Sequence, residues 1–206
     1  MIKNIMFDLG GVIMDIEKDR CVAAFERLGL RDASSFFGDY SQKGPFLKLE
    51  EGTMTVGEFH SELRADIDGD VTDEDIDSAF CKFLIGIPTH RLAELRKLRE
   101  HYRVYLLSNT NPIMWNSKIK DEFTHEGLQR EDYFDGMVTS FEAKALKPEA
   151  RIFRYAAEKF GIAPEETVFL DDSQRNLDAA ARLGFHTLLV APGSEFVDVL
   201  ADKGIK

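Results

Sequence analysis

The chain has only two cysteines, six prolines and one tryptophan in 206 residues. Cys21 and Cys81 form no CxxC pair and have no histidine cluster near them, which excludes a disulfide scaffold and speaks against zinc. Both thiols read as reduced, buried groups on helices. Positive charge is also scarce: 26 Lys+Arg against 37 Asp+Glu leave a formal net charge of −11. Such a surface repels phosphate backbones and anionic lipids, so neither nucleic acid nor a membrane is an expected partner, although a local basic pocket for a small anion is compatible with it. No run approaches the roughly 18 uninterrupted apolar residues needed to span a bilayer. The N-terminal MIKNIMFDL reads as a charged start leading into a strand, not as a signal peptide, and a cytoplasmic location is expected. What is present is an ordinary globular composition, 44% hydrophobic, enough for one substantial domain with a smaller insertion.

Five short runs read as buried strands: Ile2 to Phe7, Val104 to Leu107, Met137 to Thr139, Thr167 to Leu170 and Thr187 to Val190. They are apolar at successive positions, as strands covered on both faces of a parallel sheet are. Helical patterns alternate with them. Ile152, Phe153, Ala156, Ala157 and Phe160 recur at helical spacing before Gly161; Leu177, Ala180, Ala181 and Leu183 do so before Gly184; Leu92, Leu95 and Leu98 precede the second strand. The alternation predicts a doubly wound, Rossmann-like α/β core. The long interval after the first strand breaks it. From Ile16 to Ile87 the pattern is helical without strands: Val22, Phe25 and Leu28 share a face, Thr55 with Glu58 and Thr72 with Asp75 look like capping boxes, and Pro88 marks the return. The expected organisation is a core of residues 1–15 and 88–206 with a helical cap, 16–87, inserted after strand one.

In an open parallel sheet, ligands bind beyond the carboxyl ends of the strands. The polar residues there are Asp8, then Ser108 with Asn109, then Asp171 with Asp172; Lys147 follows the third run, and Pro148 biases it toward an extended conformation at a helix start. Singly, each has an ordinary reading as a helix cap, a turn or a solvated surface residue. Together they put three carboxylates, a hydroxyl and an ammonium in one crevice. Clustered carboxylates repel one another unless a cation lies among them, most naturally magnesium with a phosphate. Gly10 and Gly11 permit a tight turn whose amides could face such an anion.

Four segments in order, Phe7-Asp8-Leu9-Gly10-Gly11-Val12, Leu107-Ser108-Asn109-Thr110, Lys147-Pro148-Glu149 and Phe169-Leu170-Asp171-Asp172-Ser173, resemble the motifs of haloacid dehalogenase-like hydrolases. The insert resembles that superfamily's helical cap. Within it, the first motif together with Ser108 to Asn111 and Lys147 to Arg151 is most similar to bacterial α-D-glucose-1-phosphate phosphatases. The resemblance implies that Asp8 attacks phosphorus to form an aspartyl-phosphate, and that Ser108 and the Asn109 amide hold phosphoryl oxygens while Lys147 neutralises charge. It implies a Mg²⁺ held by Asp8, the Gly10 carbonyl and Asp172, with Asp171 as ligand or support and Asn176 behind it. The implied substrate is a small phosphorylated metabolite, a sugar phosphate such as a hexose 1-phosphate; a monomer or homodimer is expected.

One departure matters. Phosphatases of this superfamily usually carry a second aspartate two positions after the nucleophile, as the acid for the leaving alcohol. Here that position is Gly10. Losing such a group typically costs about 10²- to 10⁴-fold, so either the leaving group is acidic, as an anomeric oxygen is, or Asp15 or a cap residue supplies the proton. Phe36, Phe37, Tyr40, Phe46 and His60 are candidates for pocket lining or, alternatively, for the cap's own core; Asn111 and Trp115 are candidates at the crevice mouth. Two rival functions remain: a metal-independent 2-haloacid dehalogenase, against which the Asp171-Asp172 pair argues, and a phosphate-binding or regulatory module weakened through Gly10.

Overall fold

The computed structural model describes residues 1–38 and 42–205. The chain begins with β1 (Asn4–Phe7) and β2 (Asp15–Ile16), then helices α1 (Lys18–Leu28), α2 (Gly44–Glu50), α3 (Val56–Asp66) and α4 (Asp73–Cys81), then β3 (Leu84–Gly86). It continues through α5 (Thr89–Leu98), β4 (Arg103–Ser108), the short helices α6 (Pro112–Asn116), α7 (Lys118–Glu122) and α8 (Arg130–Tyr133), β5 (Gly136–Thr139), and α9 (Ser140–Ala143). The last elements are α10 (Ala150–Phe160), β6 (Thr167–Asp171), α11 (Gln174–Ala181), β7 (His186–Leu189) and α12 (Phe196–Ala201). Tyr40 lies outside the described residues.

Five strands form one parallel sheet in the order β5-β4-β1-β6-β7. The successive apolar positions have a simple cause. Ile5 and Phe7 enter the layer built with α5, α12 and the cap, whereas Met6 enters the opposite layer built with α10 and α11; Val104 and Leu106 alternate with Tyr105 and Leu107 in the same way. Each fully buried Ile, Leu or Phe contributes about 1.5–3 kcal/mol relative to exposure, so both layers hold the sheet. The registers Phe7↔Leu106 and Phe7↔Leu170 bring the residues that follow these strands to one edge of the sheet.

The cap helices start where the sequence signals place them. Thr55 with Glu58 and Thr72 with Asp75 each make both halves of a capping box. Phe46 sits among Phe25, Phe37, Phe59 and Phe80, its ring centroid 4.7–5.2 Å from theirs. Phe37 and Phe46 therefore belong to the cap's packing. His60 is also turned inward, with Nε2 2.7 Å from Asp77 Oδ1.

The interval 16–87 is not free of strands, contrary to the periodicity. β2 and β3 pair antiparallel, Asp15 opposite Gly86 and Ile16 opposite Leu84, so the chain enters and leaves the cap side by side. Strands of two and three residues are too short to show an alternation. Two buried side chains clamp this neck. Arg91 donates from Nη1 to Asp15 Oδ1 (2.8 Å) and the Ile13 carbonyl (3.2 Å), and forks onto Glu195 through Nε and Nη2 at 2.8 and 2.9 Å. This pairing holds the Glu195 carboxyl down at about 2. On the other strand, Glu122 accepts from the Ile87 amide at 2.9 Å. Among the described residues no helix is long and apolar enough to cross a membrane.

Candidate active site

β1, β4 and β6 end side by side, and Asp8, Ser108 and Asp171 are delivered there by strand geometry alone. Lys147 arrives from the segment before α10, locked by a reciprocal pair: its amide donates to Asn109 Oδ1 at 2.9 Å, and Asn109 Nδ2 donates to its carbonyl at 3.0 Å. The side chain of Asn109 thus positions Lys147. Lys147 Nζ then lies 2.7 Å from Asp8 Oδ1 and 2.8 Å from Asp171 Oδ2, fully enclosed.

The carboxylates divide into two kinds. Asp171 is saturated: besides Lys147 it accepts from the Ser173 amide (2.8 Å) and, through both oxygens, from Asn176 Nδ2 (3.0 and 3.1 Å). Asp8 Oδ1 takes Lys147 and the Leu9 amide (2.6 Å), while Asp8 Oδ2 accepts no hydrogen bond among the described residues. Ligand oxygens of Asp8, Asp171 and Asp172 lie within 4.8 Å of one another. Burial pushes Asp8 upward, Lys147 pulls against it, and Asp171 and Asp172 add to the rise, leaving it at about 8. Asp172 is raised by burial and by Asp171. Burial works against the charge of Lys147, yet Asp171 and Asp8 hold it above its ordinary value. Two carboxylates, Asp8 and Asp172, each with an oxygen that takes no other side chain among the described residues, and a shared excess of negative charge, suit a hard divalent cation.

The loop after β1 is shaped by Gly11. Its φ is 74°, and a Cβ there would lie 2.3 Å from Asp172 Oδ2, so only glycine lets the two loops meet. The Gly11 amide is taken by the Met14 carbonyl at 2.9 Å and does not face an anion, which corrects that part of the expectation. At Gly10 a Cβ would have ordinary contacts, 3.5 Å from Ile16 methyls, so crowding around Cβ does not explain the missing aspartate.

These groups open into a cavity of about 180 Å³ between sheet and cap. From the sheet come Asp8, Gly10, Asn109, Lys147, Asp172 and Asn176; from the cap side come Ile16, Gly38, Gln42, Glu50 and Phe83. Ser108 lines an adjoining void of about 50 Å³ beside Gly10 and Asn109. A larger groove, about 480 Å³, between α5 and α12 lies by the turn into β4, at the opposite end of the sheet, and gathers none of the strand-end residues.

A model of the haloacid dehalogenase-like hydrolases matches residues 2–184. The chain belongs to that family. It is 38% identical to D-ribitol-5-phosphate phosphatase of Bacteroides thetaiotaomicron over 196 residues, 95% of each chain. Among solved structures, a family enzyme of the same organism, in complex with magnesium and inorganic phosphate, superposes with a TM-score of 0.90 at 40% identity, covering 96% of this chain and 98% of that one. L-2-haloacid dehalogenase of Xanthobacter autotrophicus shares the fold, with a TM-score of 0.63 at 18% identity, covering 100% of this chain and 83% of that one.

In this haloacid dehalogenase-like hydrolase, several side chains lie elsewhere than at the crevice. Asp15 is half exposed and tied to Arg91. Asn111 is buried as the cap of α6, accepting from the Met114 amide, and Trp115 packs under the Arg130 guanidinium, 4.1 Å from its ring centroid. Phe36, Phe37, Phe46 and His60 do not line the cavity. Gln42, Glu50 and Phe83 do, and sequence reasoning missed them. The signal for Glu50 was its place on the buried stripe of α2 with Phe46 and Leu49, where a carboxylate is out of character.

Proposed function

We propose that the chain is a magnesium-dependent phosphatase of small phosphorylated sugars and sugar alcohols, with residues 16–87 as its cap. The observation that carries this reading is the division of labour around Asp8: one oxygen held by Lys147, the other accepting no hydrogen bond among the described residues, with ligand oxygens of Asp8 and Asp172 within 4.8 Å of each other. A bound Mg²⁺ would be held by Asp8, Asp172 and the Gly10 carbonyl, and would polarise the phosphate and offset its charge. Asp171, with both oxygens already engaged, serves as support that fixes Lys147 and Asn176.

Asp8 attacks phosphorus and forms an aspartyl-phosphate that water then cleaves. Lys147 neutralises the charge that the attacking carboxylate and the phosphate bring together, and Ser108 with the Asn109 amide receives phosphoryl oxygens. The similarity to D-ribitol-5-phosphate phosphatase supports a pentitol 5-phosphate as the first substrate to test, with a hexose 1-phosphate second. The carboxylate cluster disfavours metal-free dehalogenation, because such a group beside an anionic substrate would be repulsive.

The test is turnover of p-nitrophenyl phosphate, D-ribitol 5-phosphate and α-D-glucose 1-phosphate, with Mg²⁺ and with EDTA, alongside chloride release from 2-chloropropionate. Hydrolysis of phosphate esters that EDTA abolishes is expected. Chloride release in EDTA, or silence on every ester from folded protein, refutes the reading. A further outcome concerns Gly11→Ala: its methyl group displaces Asp172, so the Mg²⁺ concentration for half-maximal rate rises about 10- to 100-fold, with the rate at saturating Mg²⁺ affected less. An unchanged Mg²⁺ requirement would remove Asp172 from the metal site.

A further inference from the structure

The proposed substrate makes the vacancy at Gly10 acute. A pentitol 5-phosphate leaves as a primary alkoxide, a poor leaving group that needs a proton. In-line displacement sets where the donor must stand, opposite Asp8 across phosphorus. Asp8 lies on the sheet side of the cavity, so the donor belongs on the cap side.

Among the described residues, Glu50 is the carboxyl group that lines the cavity from the cap. It is 9% exposed and makes no ion pair among the described residues. Gln42 lines the same cavity beside it, and Gln42 Oε1 is buried and without a hydrogen-bond partner. Its placement is enforced from behind. Gly52, just past α2, has φ 67° and lies against the backbone of Phe141 in α9; a Cβ there would be 2.2 Å from the Phe141 carbonyl oxygen. The end of α2 is therefore pressed onto the sheet domain, and Glu50 is held over the crevice.

Resting on the phosphatase reading, we propose that Glu50 is the proton donor to the leaving oxygen, the role that position 10 cannot fill. As Asp8 bonds to phosphorus, the P–O bond to the alcohol breaks and its electron pair takes the Glu50 proton, giving free alcohol and a Glu50 carboxylate. That carboxylate then takes a proton from the water whose oxygen attacks phosphorus. The P–O bond to Asp8 breaks, and inorganic phosphate, the Asp8 carboxylate and the Glu50 acid are restored. The protonation state fits: burial pushes Glu50 up to about 8, with Gln42 opposing and Glu51 adding to the rise. Asp8, Asp172 and Lys147 face it across the cavity.

The experiment compares wild type with Glu50→Gln at saturating Mg²⁺, using D-ribitol 5-phosphate, p-nitrophenyl phosphate, whose phenolate leaves without a proton, and ethyl phosphate, which has no hydroxyls. Glutamine matches the neutral acid in shape, and a thermal melt verifies the fold. The ratio of kcat/KM for either alkyl ester to that for the aryl ester is expected to fall about 10²- to 10⁴-fold. The aryl ester gives a burst of nitrophenolate followed by slow turnover. In wild type, kcat/KM for the alkyl esters declines as pH rises through about 8, a limb absent from Glu50→Gln. An unchanged ratio overturns the proposal, as does a loss confined to ribitol 5-phosphate, which would make Glu50 a hydroxyl contact. Wild type that ignores all three esters refutes the phosphatase reading itself.

Discussion

Asp8→Asn is expected to abolish turnover of every phosphate ester, by about 10⁴-fold or more, while the protein remains folded. The substitution replaces one oxygen by nitrogen and removes the nucleophile without changing the volume at the end of β1. The fold tolerates it because burial already works against a charged Asp8, holding it at about 8 despite Lys147. An amide at that position relieves the crowding of three carboxylates within 4.8 Å. Stopped-flow and long-time assays on p-nitrophenyl phosphate decide the matter, because this ester needs no leaving-group acid and isolates the attack on phosphorus. Retention of more than about a hundredth of wild-type kcat/KM would show that another group attacks.

Lys147→Met should act on activity and stability together. The side chain is buried between Asp8 and Asp171 at 2.7 and 2.8 Å, and its loss leaves two carboxylates facing each other without a counter-charge. Breaking a buried pair in this way costs about 3–5 kcal/mol, and losing the preorganised cation should lower the rate about 10²- to 10³-fold. The sign with pH follows. Without the ammonium Asp8, already raised by burial, is raised further, so the folded state binds its proton more tightly than the unfolded one and the variant's stability improves as pH falls. Melts at pH 5 and 8, with and without Mg²⁺, should show a deficit larger at pH 8 and partly repaired by the cation. A deficit equal at both pH values and indifferent to Mg²⁺ would mean that the ammonium does not balance these groups.

The sheet was legible because β1, β4 and β6 are covered on both faces, which leaves successive apolar residues and places Asp8, Ser108 and Asp171 at their ends. The capping boxes at Thr55 and Thr72 were legible because they are local. What escaped is what depends on contacts far apart in sequence. Asn109 positions Lys147 through two hydrogen bonds between residues 38 apart in sequence, and Arg91 draws Asp15 away from the crevice. The ribbon of β2 and β3 is too short for any period, and Glu50 shows its role only once α2 is seen to close over the cavity. The aromatic side chains of the cap misled for a physical reason: rings that fill a small helical core and rings that line a pocket look alike in composition.

The adjacency of Asp15 and Gly86 in the neck reaches beyond this one chain. A segment whose two ends meet is grafted, in effect, at a single point of its parent scaffold. Lengthening it, trimming it or exchanging it for another would alter which groups overhang the phosphate without rethreading a single strand, so substrate range can diversify while the floor chemistry stays put.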